Sequence, residues 1–471
     1  MASKSQSDKI ELFARTPVKK ALLTMAVPTI ISQLVNLIYN MVDAFFIGRT
    51  GNSYMIAATT VTLTLVMMNV ALSNLFGIGG GSLMARLMGA GDVKEARRVS
   101  SFSVFGAIGI AIVYAALVGL FTDPLLTFLG ASAQTIGFAR SYTQIVIVLG
   151  CLPSVLSLAL AHLLRNAGYS TQASIGLSGG GILNVFLDPL FMFVLLPAGM
   201  EVTGAAIATA LSNLIACIYL LITYAKVGKD SALSLSPADA RKIQKGSIGK
   251  LFAVGIPSAL LTGLFDLANV CVNIIASSHN DLVLAGMGIV MKVERIPNAV
   301  NIGICQGMLP IVAFNYSARN HERMRETIRT GRTFGLIVSA ISIVLLEVFA
   351  DPVSRVFLST SKGDASLALQ TIAYAATFLR IRCIASPVQL INYHTSYCMQ
   401  AMGQGKATML HAFVRELIFY IPFMFLLDHF FGEIGLASAL PVGEACGAVF
   451  ALLLLRHVLK KTSKESQEKN G

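Results

Sequence analysis

The chain has 471 residues, of which 55% are hydrophobic and only 13% are charged, and its mean hydropathy is +0.71. These values exclude an ordinary soluble protein and predict a polytopic membrane protein. The formal net charge of +12 could suggest nucleic-acid binding. However, Lys and Arg concentrate in the N-terminal segment and in a few predicted turns, so we attribute the charge to membrane topology and predict no nucleic-acid partner.

Apolar stretches that could cross a hydrocarbon core about 30 Å thick recur along the whole chain. The N-terminal residues carry basic side chains and no early apolar core, which argues against a cleavable signal peptide. Twelve transmembrane spans are predicted, near residues 21–47, 56–80, 99–122, 136–160, 169–195, 203–225, 251–276, 283–310, 330–350, 367–391, 407–428 and 435–457.

Basic residues alternate between the predicted turns in a way that sets the topology. If the spans alternate, the N-terminus, the turns 86–98 and 319–332, the segment 226–250 and the C-terminal tail all lie on one side. The opposite turns near 123–134, 196–202, 276–282 and 428–434 contain no Lys or Arg. By the positive-inside rule, both termini are then cytoplasmic.

The two halves of the sequence resemble each other at an offset of about 228 residues, as when Asp123-Pro124 recurs as Asp351-Pro352. Six spans per half give both copies the same orientation, an arrangement associated with transporters that rock two halves around a central site. The prediction is an all-α fold of two pseudo-symmetric six-helix lobes. We predict a cytoplasmic segment at 1–20, an N-lobe at 21–225, a cytoplasmic linker at 226–250, a C-lobe at 251–457 and a cytoplasmic tail at 458–471.

Two polar segments outside the spans also carry predictions. Within the linker, Ser236-Pro237 could begin a short helix on the cytoplasmic surface, because proline favours the first helical turn. The polar residues from Lys460 to the end of the chain are predicted to be disordered.

A polar stripe interrupts the first span. Gln33, Asn36, Asn40 and Asp43 follow an i, i+3, i+7, i+10 spacing and share one face of a helix. A carboxylate near the middle of a bilayer costs roughly 2.5–3.5 kcal/mol on insertion scales, so such residues usually face a protein interior or an aqueous cavity. The stripe indicates a site for a proton, a cation or a charged substrate, although Asp43 could instead join two helices. Pro28, early in the same span, can kink it.

The seventh span repeats this pattern. Thr262, Asp266, Asn269 and Asn273 follow i, i+4, i+7, i+11, again on one helix face. Each half therefore offers an acid-containing stripe from its first helix. A purely structural role for Asp266 remains an alternative.

The eighth span carries Lys292, Glu294 and Arg295 inside an apolar run. Buried opposite charges must pair or line water. We expect Lys292 or Arg295 to neutralise Asp266 or Glu294. An internal ion network and a contact with substrate remain equally open.

In the fifth span Asn184 and Asp188 lie one helical turn apart. Together with a second acid such as Asp43 they would form a hard oxygen site suited to a proton or Na⁺. Two neighbouring acids in a low-dielectric site would share protons, which is a plausible basis for proton exchange. The alternative is that Asp188-Pro189 only marks the outer end of the helix. No His or Cys cluster suggests a transition metal, and no cofactor is predicted beyond the coupling ion.

Several motifs resemble the MATE (multidrug and toxic compound extrusion) transporters, and most of all their bacterial MepA-like group. The resemblance covers nearly the whole chain. The motifs are Val27-Pro28, Met41-Val-Asp43-Ala-Phe-Phe-Ile-Gly48, Leu164-Arg165-Asn-Ala-Gly168, Asn184-Val-Phe-Leu-Asp188-Pro189-Leu-Phe191, Gly204-Ala-Ala-Ile207 and Gln400-Ala-Met-Gly-Gln-Gly405.

The resemblance implies a monomeric transporter, not an enzyme, in the plasma or inner membrane. It implies export of cationic or amphipathic, drug-like organic compounds against an influx of H⁺ or Na⁺ by alternating access of the two lobes. By position, Asp43, Asn184, Asp188 and Thr209 match the cation site of the family's N-lobe, and Pro28 matches the proline linked to helix bending. The C-lobe acids of the family correspond to Asp266 and Glu294 at most, because the tenth span has no carboxylate.

Two other functions stay open. A flippase for lipid-linked precursors of the same superfamily would need a large, strongly basic cavity between the lobes, whereas the interior basic residues here are balanced by acids. A membrane-embedded enzyme would need a nucleophile–base pair or a metal triad within the spans, and the sequence presents neither. Small organic substrates and membrane lipid are therefore the predicted partners.

Overall fold

The computed structural model describes residues 6–358 and 365–468, and this part of the chain is helical almost throughout, without a β-strand. The first half contains α1 (Gln6–Ala14), α2 (Val18–Arg49), α3 (Ser53–Gly89), α4 (Val93–Leu120), α5 (Thr122–Phe128), α6 (Ile136–Thr143), α7 (Cys151–Asn166), α8 (Ser170–Leu190) and α9 (Glu201–Gly228). The second half contains α10 (Pro237–Arg241), α11 (Lys245–His279), α12 (Asp281–Val293), α13 (Arg295–Ser317), α14 (His321–Val348), α15 (Ala350–Leu358), α16 (Ala365–Cys383), α17 (Ser386–Ala401), α18 (Gly405–Phe413) and α19 (Ile421–Glu468). Three π-helical segments, Gln144–Leu149, Phe191–Leu195 and Val414–Tyr420, extend or join these helices.

Within the described ranges, nine helical stretches are long and apolar enough to cross a membrane, and a tenth results if α6 and α7, bent by 51°, form one span. The last stretch, Gly405–Lys461, has 57 residues, and a straight helix of that length would measure about 85 Å, far more than a bilayer. It breaks at Gly432, whose φ of 58° and ψ of −143° are a conformation that glycine tolerates best. The chain is thus a multi-pass membrane protein, and the number of twelve spans stays a prediction.

The sequence repeat is visible in the helix caps. Asn52 accepts a hydrogen bond from the backbone N–H of Tyr54 at the start of α3, and Asn280 does the same for Val283 at the start of α12. In the same way, the side chains of Asp92 and Asn320 cap the starts of α4 and α14. Such caps each contribute about 1 kcal/mol to helix stability, and their recurrence shows that both halves start equivalent helices with equivalent residues.

The repeated Asp-Pro pairs also serve the same structural purpose. Asp123 in α5 pairs with Arg140 through two hydrogen bonds of 2.6 and 2.7 Å, and Asp351 in α15 pairs with Arg380 at 2.6 Å. All four side chains are about half exposed, so each pair contributes little to stability. Both pairs hold a short helix against the helix that follows it in the chain.

The two halves meet through α2 packed on α13 and α3 packed on α11. Glycines permit this approach: Gly307 lies against the backbone of Ala26, and Gly255 against the backbone carbonyl of Leu75. The rings of Phe76 and Phe252 add an edge-to-face contact with centroids 5.8 Å apart. Small residues at helix crossings are typical of membrane helix packing, since they let backbones come close.

The contacts between the halves cluster at one end of the molecule, the end that carries the turns 86–98 and 319–332, which we call the basic end. There, Ser82 donates a hydrogen bond of 2.6 Å to the carbonyl of Gln400. The helix α1 covers the same end, where the Phe13 carbonyl accepts hydrogen bonds from Asn315 (3.0 Å) and Arg323 (2.8 Å). The basic end is therefore closed by both backbone packing and polar contacts.

Two predictions from the sequence concern the linker and the C-terminal tail. The short linker helix is confirmed as α10, which begins at Pro237 directly after Ser236. The prediction that the chain is disordered from Lys460 onwards is wrong as far as Glu468, because α19 continues to that residue. Its last turns extend a helix that is already formed and need no nucleation of their own. Residues 469–471 lie outside the described part.

Candidate functional site

The predicted N-lobe residues come from three helices that pack side by side. Asp43 lies on α2, Asn184 and Asp188 lie on α8, and Thr209 lies on α9. The approach of these helices depends on glycines in the middle of α8. A side chain at Gly181 would meet the ring of Tyr39 on α2, and one at Gly180 would meet Ala216 on α9.

Asn184 is the centre of the observed contacts. Its Nδ2 donates hydrogen bonds to Asp188 Oδ1 at 3.1 Å and to Thr209 Oγ1 at 3.5 Å. Asp188 is fully buried, Asn184 is nearly so, and Asp43 lies close enough for its charge to act on Asp188. The structure thus brings the four residues into one N-lobe cluster, which we define as Asp43, Asn184, Asp188 and Thr209.

Several oxygens of the N-lobe cluster are buried without a hydrogen-bond partner. They are Asp43 Oδ1, Asn184 Oδ1 and Asp188 Oδ2. Neither acid takes part in an ion pair within the described residues. Buried carboxylates without a compensating charge are costly, so such oxygens need a proton or a small cation. Carboxylate, amide and hydroxyl oxygens are also hard donors, which makes them a chemical fit for Na⁺ as well as for H⁺.

Two tyrosines complete the surroundings of the cluster, and the sequence reasoning missed both. Tyr39 lies one turn before Asp43 on α2, and Tyr142, on α6, lies beside Thr209 and within range of both acids. Tyr39 could have been found from its i−4 spacing to Asp43. Tyr142 carries no local signal, because its place depends on how α6 packs against α9.

The rest of the α2 stripe does not join the N-lobe cluster. Asn36 and Asn40 are exposed, and Asn40 Nδ2 donates to the backbone carbonyl of Asn36 at 2.6 Å. Gln33 is half-buried. These residues lie beyond the closed basic end, on a part of α2 that is not covered by other helices. The helix α2 itself runs without a break through Pro28, so the hinge at this residue stays a prediction.

The α11 stripe lies at the corresponding place in the second half. Thr262 accepts a hydrogen bond of 3.1 Å from Asn74 across the junction between the halves. Further along, Asp266 and Asn269 are half-buried and Asn273 is exposed. Arg295 is near enough for its charge to act on Asp266, as expected, whereas Lys292 is exposed.

The prediction that Lys292 or Arg295 could neutralise Glu294 is wrong. Arg382 on α16, not Lys292 or Arg295, forms two hydrogen bonds to this carboxylate, at 2.7 and 2.9 Å. The side chain of Arg382 is 1% exposed and that of Glu294 is 15% exposed. A bidentate guanidinium satisfies both carboxylate oxygens at once, which a flexible Lys292 cannot do. Glu294 is therefore neutralised by a structural ion pair.

This pair allows a stability prediction. Replacing Arg382 with Met leaves Glu294 without its counter-charge, and we expect a loss of about 3 kcal/mol, the lower end for a buried pair because Glu294 is partly exposed. The measurement is thermal unfolding of the purified protein in detergent. The double variant Arg382→Met/Glu294→Gln removes both charges and should recover most of the loss. Full additivity of the two single variants would contradict the pairing.

Comparisons with known proteins agree with this architecture. A family model described as MatE matches the chain twice, at residues 28–190 and 257–426, so that the two matches coincide with the two halves. Multidrug export protein MepA of Staphylococcus aureus (strain MSSA476) is 28% identical over 455 residues, which cover 96% of each chain.

Solved structures show the same fold. A crystal structure of MATE in complex with MaL6 has a TM-score of 0.90 and 21% identity, and the match covers 97% of this chain and 99% of that one. An outward-facing conformation of a multidrug resistance MATE family transporter of the MOP superfamily has a TM-score of 0.88, also at 21% identity, with 97% and 98% of the chains covered.

Proposed function

Because this chain belongs to the MatE family, we propose that it is a secondary active antiporter that exports organic, drug-like compounds in exchange for H⁺ or Na⁺. The name of its relative, a multidrug export protein, supports the class of substrate. The observation that carries the exchange mechanism is the set of unpartnered oxygens on Asp43 and Asp188, buried in membrane-crossing helices.

The proposed cation site is the N-lobe cluster. Asp43 and Asp188 supply the charge, Asn184 fixes Asp188 by its hydrogen bond, and the hydroxyl of Thr209 supplies a further oxygen. A cation that enters there removes the repulsion between the two acids and lets α2 and α8 approach each other. Since α2 also packs on α13, a shift of α2, bent at Pro28, would reach the junction between the halves.

We infer from the closed basic end that the protein is in its outward-facing conformation. By the positive-inside rule that end faces the cytoplasm, so the halves are joined inside and the stripes with Asn36, Asn40 and Asn273 face the outside. We assign these amides, with Gln33, Asp266 and Asn269, to the substrate path. Both termini are then cytoplasmic, and the chain acts as a monomer in the cell membrane.

The energy available to the proposed exchange is sufficient. For an uncharged substrate, one cation that enters through a potential of 100 mV releases about 2.3 kcal/mol, which can support roughly a 50-fold substrate gradient. An added pH or Na⁺ gradient raises this limit. Exchange of one cation for one monovalent cationic substrate moves no net charge and draws on the pH or Na⁺ gradient instead.

The test is efflux of a fluorescent cationic dye from membrane vesicles that hold the protein. We expect efflux to respond to an imposed pH gradient or to an imposed Na⁺ gradient at zero potential, and the response identifies the coupling ion. Vesicles without the protein are the control. An efflux rate that depends on neither gradient would contradict the proposed antiport.

A further inference from the structure

A second buried cluster of charges lies in the C-terminal half, away from the N-lobe cluster. Arg415 and Glu416 are neighbours in the π-helical segment Val414–Tyr420, and Glu444 faces them from α19. Their exposures are 2%, 1% and 1%, so the charges are removed from solvent. π-Helical turns are rare and are frequent at functional sites. We call Arg415, Glu416 and Glu444 the C-lobe cluster.

The two acids of the C-lobe cluster receive different numbers of hydrogen bonds. Arg415 donates to both oxygens of Glu444, at 2.5 and 3.0 Å, and Asn392 on α17 donates to the same carboxylate at 2.6 Å. By contrast, the shortest approach of Glu416 to Arg415 is 3.5 Å, and Glu416 Oε2 is buried without a hydrogen-bond partner. Glu444 is thus a satisfied carboxylate, and Glu416 is the acid in excess.

The imidazole of His411 does not supply the missing positive charge. Asn392 Oδ1 can only accept, so the hydrogen bond of 3.1 Å fixes the proton of His411 on Nε2. His411 Nδ1 lies 2.8 Å from the hydroxyl of Ser396, which can donate to it. The neutral imidazole therefore satisfies both bonds. One guanidinium faces two carboxyl groups, and an extra negative charge in this dry site would be costly.

A proton balances this excess better than a metal ion does. Metal cations that prefer oxygen need several ligands, and the oxygens of Glu444 are already occupied by Arg415 and Asn392. Nor does any group of three His, Cys, Asp or Glu in the described ranges have a geometry that could hold a metal. The single unpartnered oxygen of Glu416 can take one proton.

We propose that Glu416 holds an exchangeable proton, which makes the C-lobe cluster a second proton site of this chain. The other groups that face Glu416 are Tyr420 in its own segment, Tyr393 on α17 and, beyond Tyr420, Arg382 on α16. Arg382 in turn binds Glu294, which is 15% exposed. Polar groups therefore lie between Glu416 and the partly exposed Glu294. Exchange along these groups during transport rests on the proposed antiport function.

Infrared difference spectra test the protonation itself. The spectrum of the purified full-length wild type should contain a C=O stretching band of a protonated carboxyl group that the spectrum of Glu416→Gln at neutral pH lacks. This band should shift after transfer of the wild type to D₂O. Loss of carboxylate bands instead would overturn the proposal. Asp351→Asn is the matched comparison, since it removes a half-exposed carboxylate that is paired with Arg380 outside the C-lobe cluster, and it should lose carboxylate bands.

Flux measurements in proteoliposomes test whether the proton is exchanged. The pH gradient that just balances a fixed dye gradient gives the number of protons per dye molecule. Glu416→Gln should still transport, with one proton fewer per dye molecule, and therefore need a larger balancing gradient. An unchanged balance point would overturn a coupled role for Glu416 and leave the antiport intact. A wild type that responds to no gradient would refute the antiport itself, while the infrared spectra would still decide the protonation.

Discussion

Replacing Asp43 with Asn should abolish ion-driven efflux, down to the rate of vesicles without the protein, while the protein remains inserted and folded. The amide keeps the shape of the side chain but cannot take up a proton or balance a cation. Because Asp43 is within range of Asp188, its charge is also what makes uptake of a cation favourable at the N-lobe cluster. The measurement is dye efflux at equal amounts of protein in the membrane.

A matched control separates the loss of coupling from loss of fold. Asp351→Asn makes the same chemical change in the half-exposed ion pair with Arg380, where about 0–1 kcal/mol of stability is at stake. This variant should retain gradient-driven efflux. If Asp43→Asn transported as well as the wild type under the same gradient, the assignment of the cation site would fail.

The N-lobe cluster shows what a single sequence can predict. The polar stripe of α2 and the Asn184–Asp188 spacing on α8 follow from helical periodicity, and both acids are where the pattern placed them. Helical spacing does not predict which spans pack together. A site shared by α2 and α8 was a hypothesis from the chemistry of their side chains, and the addition of Thr209 on α9 was implied only by the resemblance. The place of Tyr142 depends on that packing as well.

The errors concern contacts that are distant in sequence. Glu294 was expected to pair with a near neighbour, but it pairs with Arg382 from another span, because packing of α12 on α16 brings that guanidinium to it. The charges of the C-lobe cluster also needed the structure, since Glu444 is far from Arg415 in sequence. The repeat was predictable, because equivalent helix starts and equivalent short helices in the two halves use the same residue types, such as the capping asparagines and the Asp-Pro pairs.

Replacing Gly255 with Val should stop efflux by preventing closure of the basic end. A side chain at this position would overlap the backbone carbonyl of Leu75, which belongs to α3 and cannot move aside as a flexible side chain would. Overpacking typically costs 1–3 kcal/mol, and we expect about 3 kcal/mol against the closed arrangement here. This corresponds to a roughly 100-fold shift away from that conformation, and an alternating-access cycle needs the conformation once per turnover.

Gly263 provides the control on the same helix, because a side chain there meets nothing within 4 Å. Gly263→Val therefore makes the same change in helix propensity without touching α3, and it should keep most of the efflux. Gly307→Val, at the packing of α13 on the backbone of Ala26, should reproduce the defect of Gly255→Val, since it opens the same end through the other helix pair. Equal efflux by the Gly255 and Gly263 variants would mean that the close approach of α3 and α11 is not required for transport.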